Sequence, residues 1–387
     1  MFVSLIFVTI LKVIPGINIL GKIALVWGTL IIVYALLRGY KRRKIYKFDL
    51  FLQAFLAITF LLILVFYRSR YNFICWIVNC ILFMSVFSID IFRNKKELIN
   101  EINTISYSYT MFMLVASIMS LFMKFTNATI KANNYIFTGS QGGVFENENA
   151  IAIAAAIAIV LCIYISYCSR DFKIKTYLII NIFIQGIVLI NFNGRSGLLI
   201  LIGMIYTYIY IYIKNKYIRG ILILLPFISM LIIYNIFDFT TIRLFTSGRY
   251  NLWRAAYVVI GWYPFVGVGG SDLVNNILEA KVTYDLPGLE FGGLHNIYVQ
   301  IATENGIISL ILFLLFLCGM MLLIVKKIDI LKKKEKIKMT VLMSLLVGIL
   351  AVNIFESSLV YIVSFISIIF WTFSGYLISI LDNRNFS

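Results

Sequence analysis

The residue types that can do chemistry in this chain gather in a few short segments. The segment 295–306, HNIYVQIATENG, holds its single histidine. Imidazole is the side chain that gains and loses a proton near neutral pH. His295, set among arginines at the mouth of an apolar bundle, is therefore the candidate general base, weighed against the commoner role of a structural hydrogen-bonder. On a helical wheel Asn296, Gln300, Thr303 and Glu304 share one stripe with His295 at its edge, and Ile297, Tyr298 and Ile301 lie opposite. Asn296 and Glu304 are thus candidate substrate contacts. Glu304 is a candidate orienter of the imidazole or acceptor, and equally well half of a one-turn polar pair.

Two further segments carry arginine. In the turn NGRSG at 193–197, Arg195 sits between two apolar helices, where it either snorkels to lipid phosphates or clamps an anion; the flanking glycines, which permit close backbone approach, favour the clamp. The segment SGRYNLWRAA at 247–256 contributes Arg249 and Arg254, with Arg243 just before it. From Tyr250 to Gly261 the pattern predicts a helix lying on the membrane with Trp253 at interfacial depth. Guanidinium groups grip phosphate with two parallel donors, so this positive loop predicts a phosphate-bearing ligand. Gly267, Gly269 and Gly270 form a loop and not a dinucleotide fingerprint, since no βαβ context surrounds them. The acidic-amide run FENEN ends at Asn149, an N-cap for the next helix or a polar lip facing a headgroup.

The elements that must position these residues are membrane spans. Of 387 residues, 61% are hydrophobic and 13% charged, against about a quarter charged in soluble domains. Apolar runs of spanning length recur near 2–14, 20–38, 50–67, 74–92, 105–125, 149–168, 176–193, 196–213, 220–237, 307–325, 339–357 and 360–381. The first is the weakest, being short, interrupted by Lys12 and closed by Pro15-Gly16. The net charge of +17 concentrates in alternate connections, at 38–47, 93–96, 170–175, 214–219, 326–338 and 384. The positive-inside rule places those connections in the cytoplasm with both termini, so the charge carries no nucleic-acid meaning. The five cysteines lie in or beside apolar runs without CxxC or CxxH spacing, which excludes a disulfide framework and a zinc site. No metal and no cofactor is expected.

The expected fold class is an all-α polytopic membrane protein of about 12 transmembrane helices, with one long external loop containing short interfacial helices. Its parts are helices 1–9 in residues 1–237, an external catalytic loop in 238–306, and helices 10–12 in 307–387. Ionisable residues are scarce within the spans, and polar ones concentrate at 126–148, 193–197 and 238–306. That distribution favours surface chemistry over the passage of a transporter or flippase, and a purely structural subunit needs no arginine-rich outer loop.

Four elements in this order resemble the O-antigen polymerase/ligase superfamily, the bacterial membrane glycosyltransferases that include Wzy-type polymerases and O-antigen ligases. They are FNGRSGLL around Arg195, SGRYNLWRAA at 247–256, YPFVGVGG at 263–270 and HNIYVQIATENGIISL at 295–310. The family's turn usually has Ser where Gly194 stands, and Val299 and Ser309 replace a usual Leu and Gly; the Arg and His positions are intact. The resemblance implies a glycan donor carried on undecaprenyl pyrophosphate at the outer leaflet of the bacterial cytoplasmic membrane, and metal-independent inverting transfer. It implies Arg195 and Arg249 as phosphate ligands, His295 as general base, and the lipid bilayer and a chain-length regulator as candidate partners. The Ile-, Lys-, Asn- and Tyr-rich composition favours a capsular, exo- or O-antigen polysaccharide polymerase over a ligase.

Overall fold

Within lipid every backbone group must be satisfied internally, and a helix does this along its own length. The computed structural model describes residues 2–38, 44–132, 135–281, 285–289 and 293–384. The helices are α1 (Phe2–Ile6), α2 (Ile17–Arg38), α3 (Lys47–Val65), α4 (Arg70–Ile81), α5 (Lys95–Phe125), α6 (Glu148–Cys168), α7 (Phe172–Asn191), α8 (Arg195–Tyr212), α9 (Lys216–Ile236), α10 (Phe239–Phe245), α11 (Arg249–Trp262), α12 (Gly269–Glu279), α13 (Ile297–Asp329), α14 (Lys333–Val352) and α15 (Phe365–Leu381). One hairpin joins β1 (Thr129–Ala132) to β2 (Tyr135–Thr138), antiparallel with Thr129 opposite Thr138. Among the described residues seven helices are long and apolar enough to cross a membrane, and α15 and the run Arg70–Val86 are shorter apolar helices. The protein is an all-α polytopic membrane protein.

The expected first span does not form. Residues 2–14 give the five-residue α1 and a 3-10 turn at Ile10–Val13, too short together for a hydrocarbon core of about 30 Å. Instead Thr9 bridges to Phe145, Ile10 N donates to the Val144 carbonyl, and Glu146 N donates to that of Val8. Lys12 completes this contact by pairing with Glu146. Residues 39–43, inside the first basic connection, lie outside the described residues.

Small side chains set the bundle's centre. The AIAIAAAIA stripe makes α6 almost wholly buried, with Ala152, Ala154, Ala155, Ala156 and Ala158 all at 0% exposure. Lipid tails give no hydrophobic drive for helix association, so close packing and interhelical hydrogen bonds hold such bundles. Here Ser117 donates to Gln185, Gln185 to Asn181, and Asn181 to the Thr110 carbonyl, which ties α5 to α7. At the basic end Arg219 forks onto Asp329, and Lys44, Lys327 and Tyr46 converge on Asp382. Helix α8 runs about 27 Å from Arg195 to that end.

At that opposite end the expected surface helix is α11, but it is not a lone interfacial helix. Leu252, Ala256 and Val259 pack with Leu273 and Ile277 of α12 and with Leu289 and Leu294, making a small core of their own. Trp253 donates to the Leu294 carbonyl at 3.0 Å and packs against Phe355, so it ties α11 to the loop before α13. Gly269 and Gly270, expected in a loop, open α12. Helix α13 departs from helical geometry at Gly306 (φ 79°). There the 264–268 segment docks through Ile307 N to the Pro264 carbonyl and Val268 N to that of Thr303.

Candidate functional site

An open cavity of about 1450 Å³ lies at this end of the bundle. Its lining combines apolar side chains, Ile153, Ile190, Leu198 and Ile202 among them, with Arg195, Arg249, His295, Glu146, Glu148, Glu356 and Asn149. Three of the residues read from the sequence, at the start of α8, the start of α11 and the loop before α13, thus face one space. Arg195 is exposed and donates from Nη1 to the Phe245 carbonyl at 3.1 Å. Among the described residues it forms no ion pair within 4 Å, although Glu146, Glu148 and Glu356 line the same cavity. Phe245 is held there by α10, whose N-cap Asp238 is a carboxylate kept below its ordinary range first by the Thr241 hydroxyl.

Arg249 differs, because it already has a partner. Its Nη2 lies 3.1 Å from Glu356 Oε1, with both side chains largely buried. The Asn149 amide donates to the same oxygen at 3.3 Å. The other oxygen, Oε2, stands 3.5 Å from His295 Nδ1, an ion-pair distance rather than a short hydrogen bond. The Glu356 carbonyl accepts from Ile297 N at 3.1 Å, and Asn296 N donates to Ser357 Oγ at 3.0 Å. The irregular segment 353–364, partly expected as helix, therefore holds His295 from its backbone and its side chain at once. Sequence reasoning passed over Glu356 as a residue near a span end; its one signal was an acidic residue among apolar neighbours.

Four expectations are corrected. Arg254 is exposed, sits 5.1 Å over the Phe239 ring and does not line the cavity. Five residues along a helix turn through about 140°, so Arg249 and Arg254 cannot share a face. Asn296 spends its side chain as the N-cap of α13, accepting from Tyr298 N and Val299 N, each at 3.1 Å. Glu304 accepts from Gln300 at 2.6 Å, its neighbour on the same stripe, but faces α3 and α4 and not the cavity. Its neighbours are Tyr67, Asn72, Cys75, Gly270 and Tyr361, two helical turns below His295, so it orients neither the imidazole nor an acceptor. Asn149 is not the cap of α6; Asn147 is, accepting from Ala150 N at 2.8 Å. The polar lip is real in its position, since 146–149 line the cavity.

The glycines do their work against protein. A side chain at Gly194 would meet Ala152 Cβ at 2.0 Å, so this glycine seats the first turn of α8 on α6 rather than admitting an anion. Gly288, at φ +84°, passes so near the imidazole that a Cβ there would stand 2.5 Å from His295 Nε2. Gly288→Ala should cost about 1–2 kcal/mol of left-handed strain and displace the ring. A misplacement of about 1 Å in such a group can cost up to about 10²-fold in rate. Turnover of Gly288→Ala is expected to fall at least about tenfold, while Gly186→Ala, where nothing lies within 4 Å, keeps the wild-type rate; steady-state kinetics of the pair checks this.

An all-α polytopic bundle with a cavity lined by two arginines, three glutamates and the single histidine, at the end away from its basic connections, defines the class. Residues 180–314, about a third of the chain, match the family model described as O-antigen ligase. This agrees with the resemblance to the O-antigen polymerase/ligase superfamily. The match includes Arg195, Arg249 and His295; Asn149 and Glu356 lie outside it. No curated protein matches the chain.

Proposed function

We propose that this protein polymerises oligosaccharide repeat units carried on undecaprenyl pyrophosphate, at the outer face of the bacterial cytoplasmic membrane. The observation that carries the proposal is the meeting of Arg195, Arg249 and His295 in one partly apolar cavity, a space suited to a ligand with a lipid, a pyrophosphate and a sugar. The acceptor hydroxyl gives its proton to His295 and its oxygen attacks the anomeric carbon from the face opposite the leaving group, which inverts that centre. The bond from that carbon to the pyrophosphate oxygen breaks, and the lipid pyrophosphate leaves with the electron pair. Arg195 and Arg249 stabilise the charge that develops on it. In this reading 238–306 is the external catalytic loop between membrane regions 1–237 and 307–387. The expected twelve crossings become eleven, with residues 2–13 outside beside 144–146.

A ligase that transfers the glycan to a lipid or protein acceptor is the second reading, favoured by the description of the matched family. Supplying only lipid-linked repeat units separates the two: a polymerase yields a ladder of products, and a ligase yields none until a distinct acceptor is added. A flippase would move labelled lipid-linked donor between leaflets without changing its length. Because guanidinium groups do the charge neutralisation in this proposal, transfer should proceed at an unchanged rate in excess EDTA. Loss of activity restored only by a divalent cation would overturn that assignment.

A further inference from the structure

We infer that Glu356 is the positioning residue of the site, holding His295 and Arg249 in register through one carboxylate; this rests on the glycosyl-transfer reading above. The carboxylate is shared: Oε1 takes Arg249 and Asn149, and Oε2 faces His295 Nδ1. A carboxylate at Nδ1 keeps the proton on that nitrogen, leaves Nε2 with the lone pair a base needs, and stabilises the imidazolium formed when the acceptor hydroxyl gives up its proton. The backbone adds to this. Ile297 N bonds to the Glu356 carbonyl, and Asn296 N to Ser357 Oγ, so the carboxylate and the histidine loop move as one body.

The same carboxylate pairs with Arg249 and neutralises it. An arriving pyrophosphate must compete with Glu356 for that guanidinium, whereas no carboxylate among the described residues is ion-paired to Arg195. Glu356 therefore opposes donor binding and supports the chemical step. Those are opposite effects on KM and kcat, and a side chain that only packs the loop does not produce them.

The test is Glu356→Gln, which keeps the shape and the backbone bonds, measured alone and in a His295→Ala background. Expected for the single variant is a kcat lower by at least about tenfold, within the range of about 10²–10⁴ that general-base catalysis supplies, with KM for the lipid-linked donor unchanged or lower. Glu356→Asp should recover part of kcat. In the His295→Ala background the substitution should cost less than about twofold more, because residues acting as a unit are not additive. Wild-type kcat in Glu356→Gln, a raised KM at constant kcat, or a full additional loss without His295 would each overturn the inference. If Glu356→Gln fails to insert in the membrane, recovery of neither insertion nor kcat by Glu356→Asp assigns the residue to folding and overturns it too. Should His295→Ala itself turn over normally, the glycosyl-transfer mechanism fails instead, and the two failures are told apart.

Discussion

His295→Ala leaves the protein folded and inserted, and glycan transfer falls by about 10²–10⁴-fold, the contribution of a positioned general base. The expectation rests on position and backbone together. His295 lines the cavity and holds φ 48°, a left-handed conformation in which Asn and His are enriched among non-glycine residues. His295→Asn is therefore the cleaner variant, since it keeps the backbone preference and removes the base. Gel analysis of product length with purified protein and lipid-linked repeat units, beside a thermal-stability comparison, checks both. Normal high-molecular-weight product from either variant, or wild-type activity of His295→Gln, would remove His295 from the mechanism.

Arg195→Lys and Arg249→Lys are expected to lose turnover on the order of 10²-fold, the size seen when one donor to a developing anion is removed. Lysine keeps the charge but loses the planar fork that binds two phosphate oxygens. The structure separates the two variants. Among the described residues Arg195 reaches only the Phe245 carbonyl, so its substitution should fall chiefly on donor binding and transfer. Arg249 also anchors Glu356, so Arg249→Lys should disturb His295 as well and show the larger fall in kcat. Lys332→Ala and Lys334→Ala, at the other end of the bundle, serve as controls at wild-type rate. Either arginine variant at wild-type rate would return that residue to a structural, snorkelling role.

Much of the fold was legible because helix formation in a membrane is a local property. Apolar length, the alanine stripe of α6 and the basic connections each speak through neighbours in sequence, and the helices lie where the runs predict. Residues 2–14 failed because apolar content alone does not reveal a pairing partner, here the 144–146 turn far along the chain. The small core around Leu252 and Leu273 was hidden for a similar reason: a helix that packs on another helix and one that lies on lipid have the same amphipathic pattern.

The site divides along the same line. Sequence by itself determined that a membrane protein carries one imidazole and a few arginines away from its basic connections, and that Gln300 and Glu304 share one helical stripe. Residue type and helical period suffice for that. Only the tertiary structure decided which of these groups meet. It turned Arg254 to Phe239, made Asn296 a cap, buried Glu304 behind α3 and α4, and brought Glu356 to Arg249 across 107 positions. No periodicity connects residues so far apart. Their meeting follows from how α13 and the segment between α14 and α15 pack on one another, where the Ile297 amide bonds to the Glu356 carbonyl.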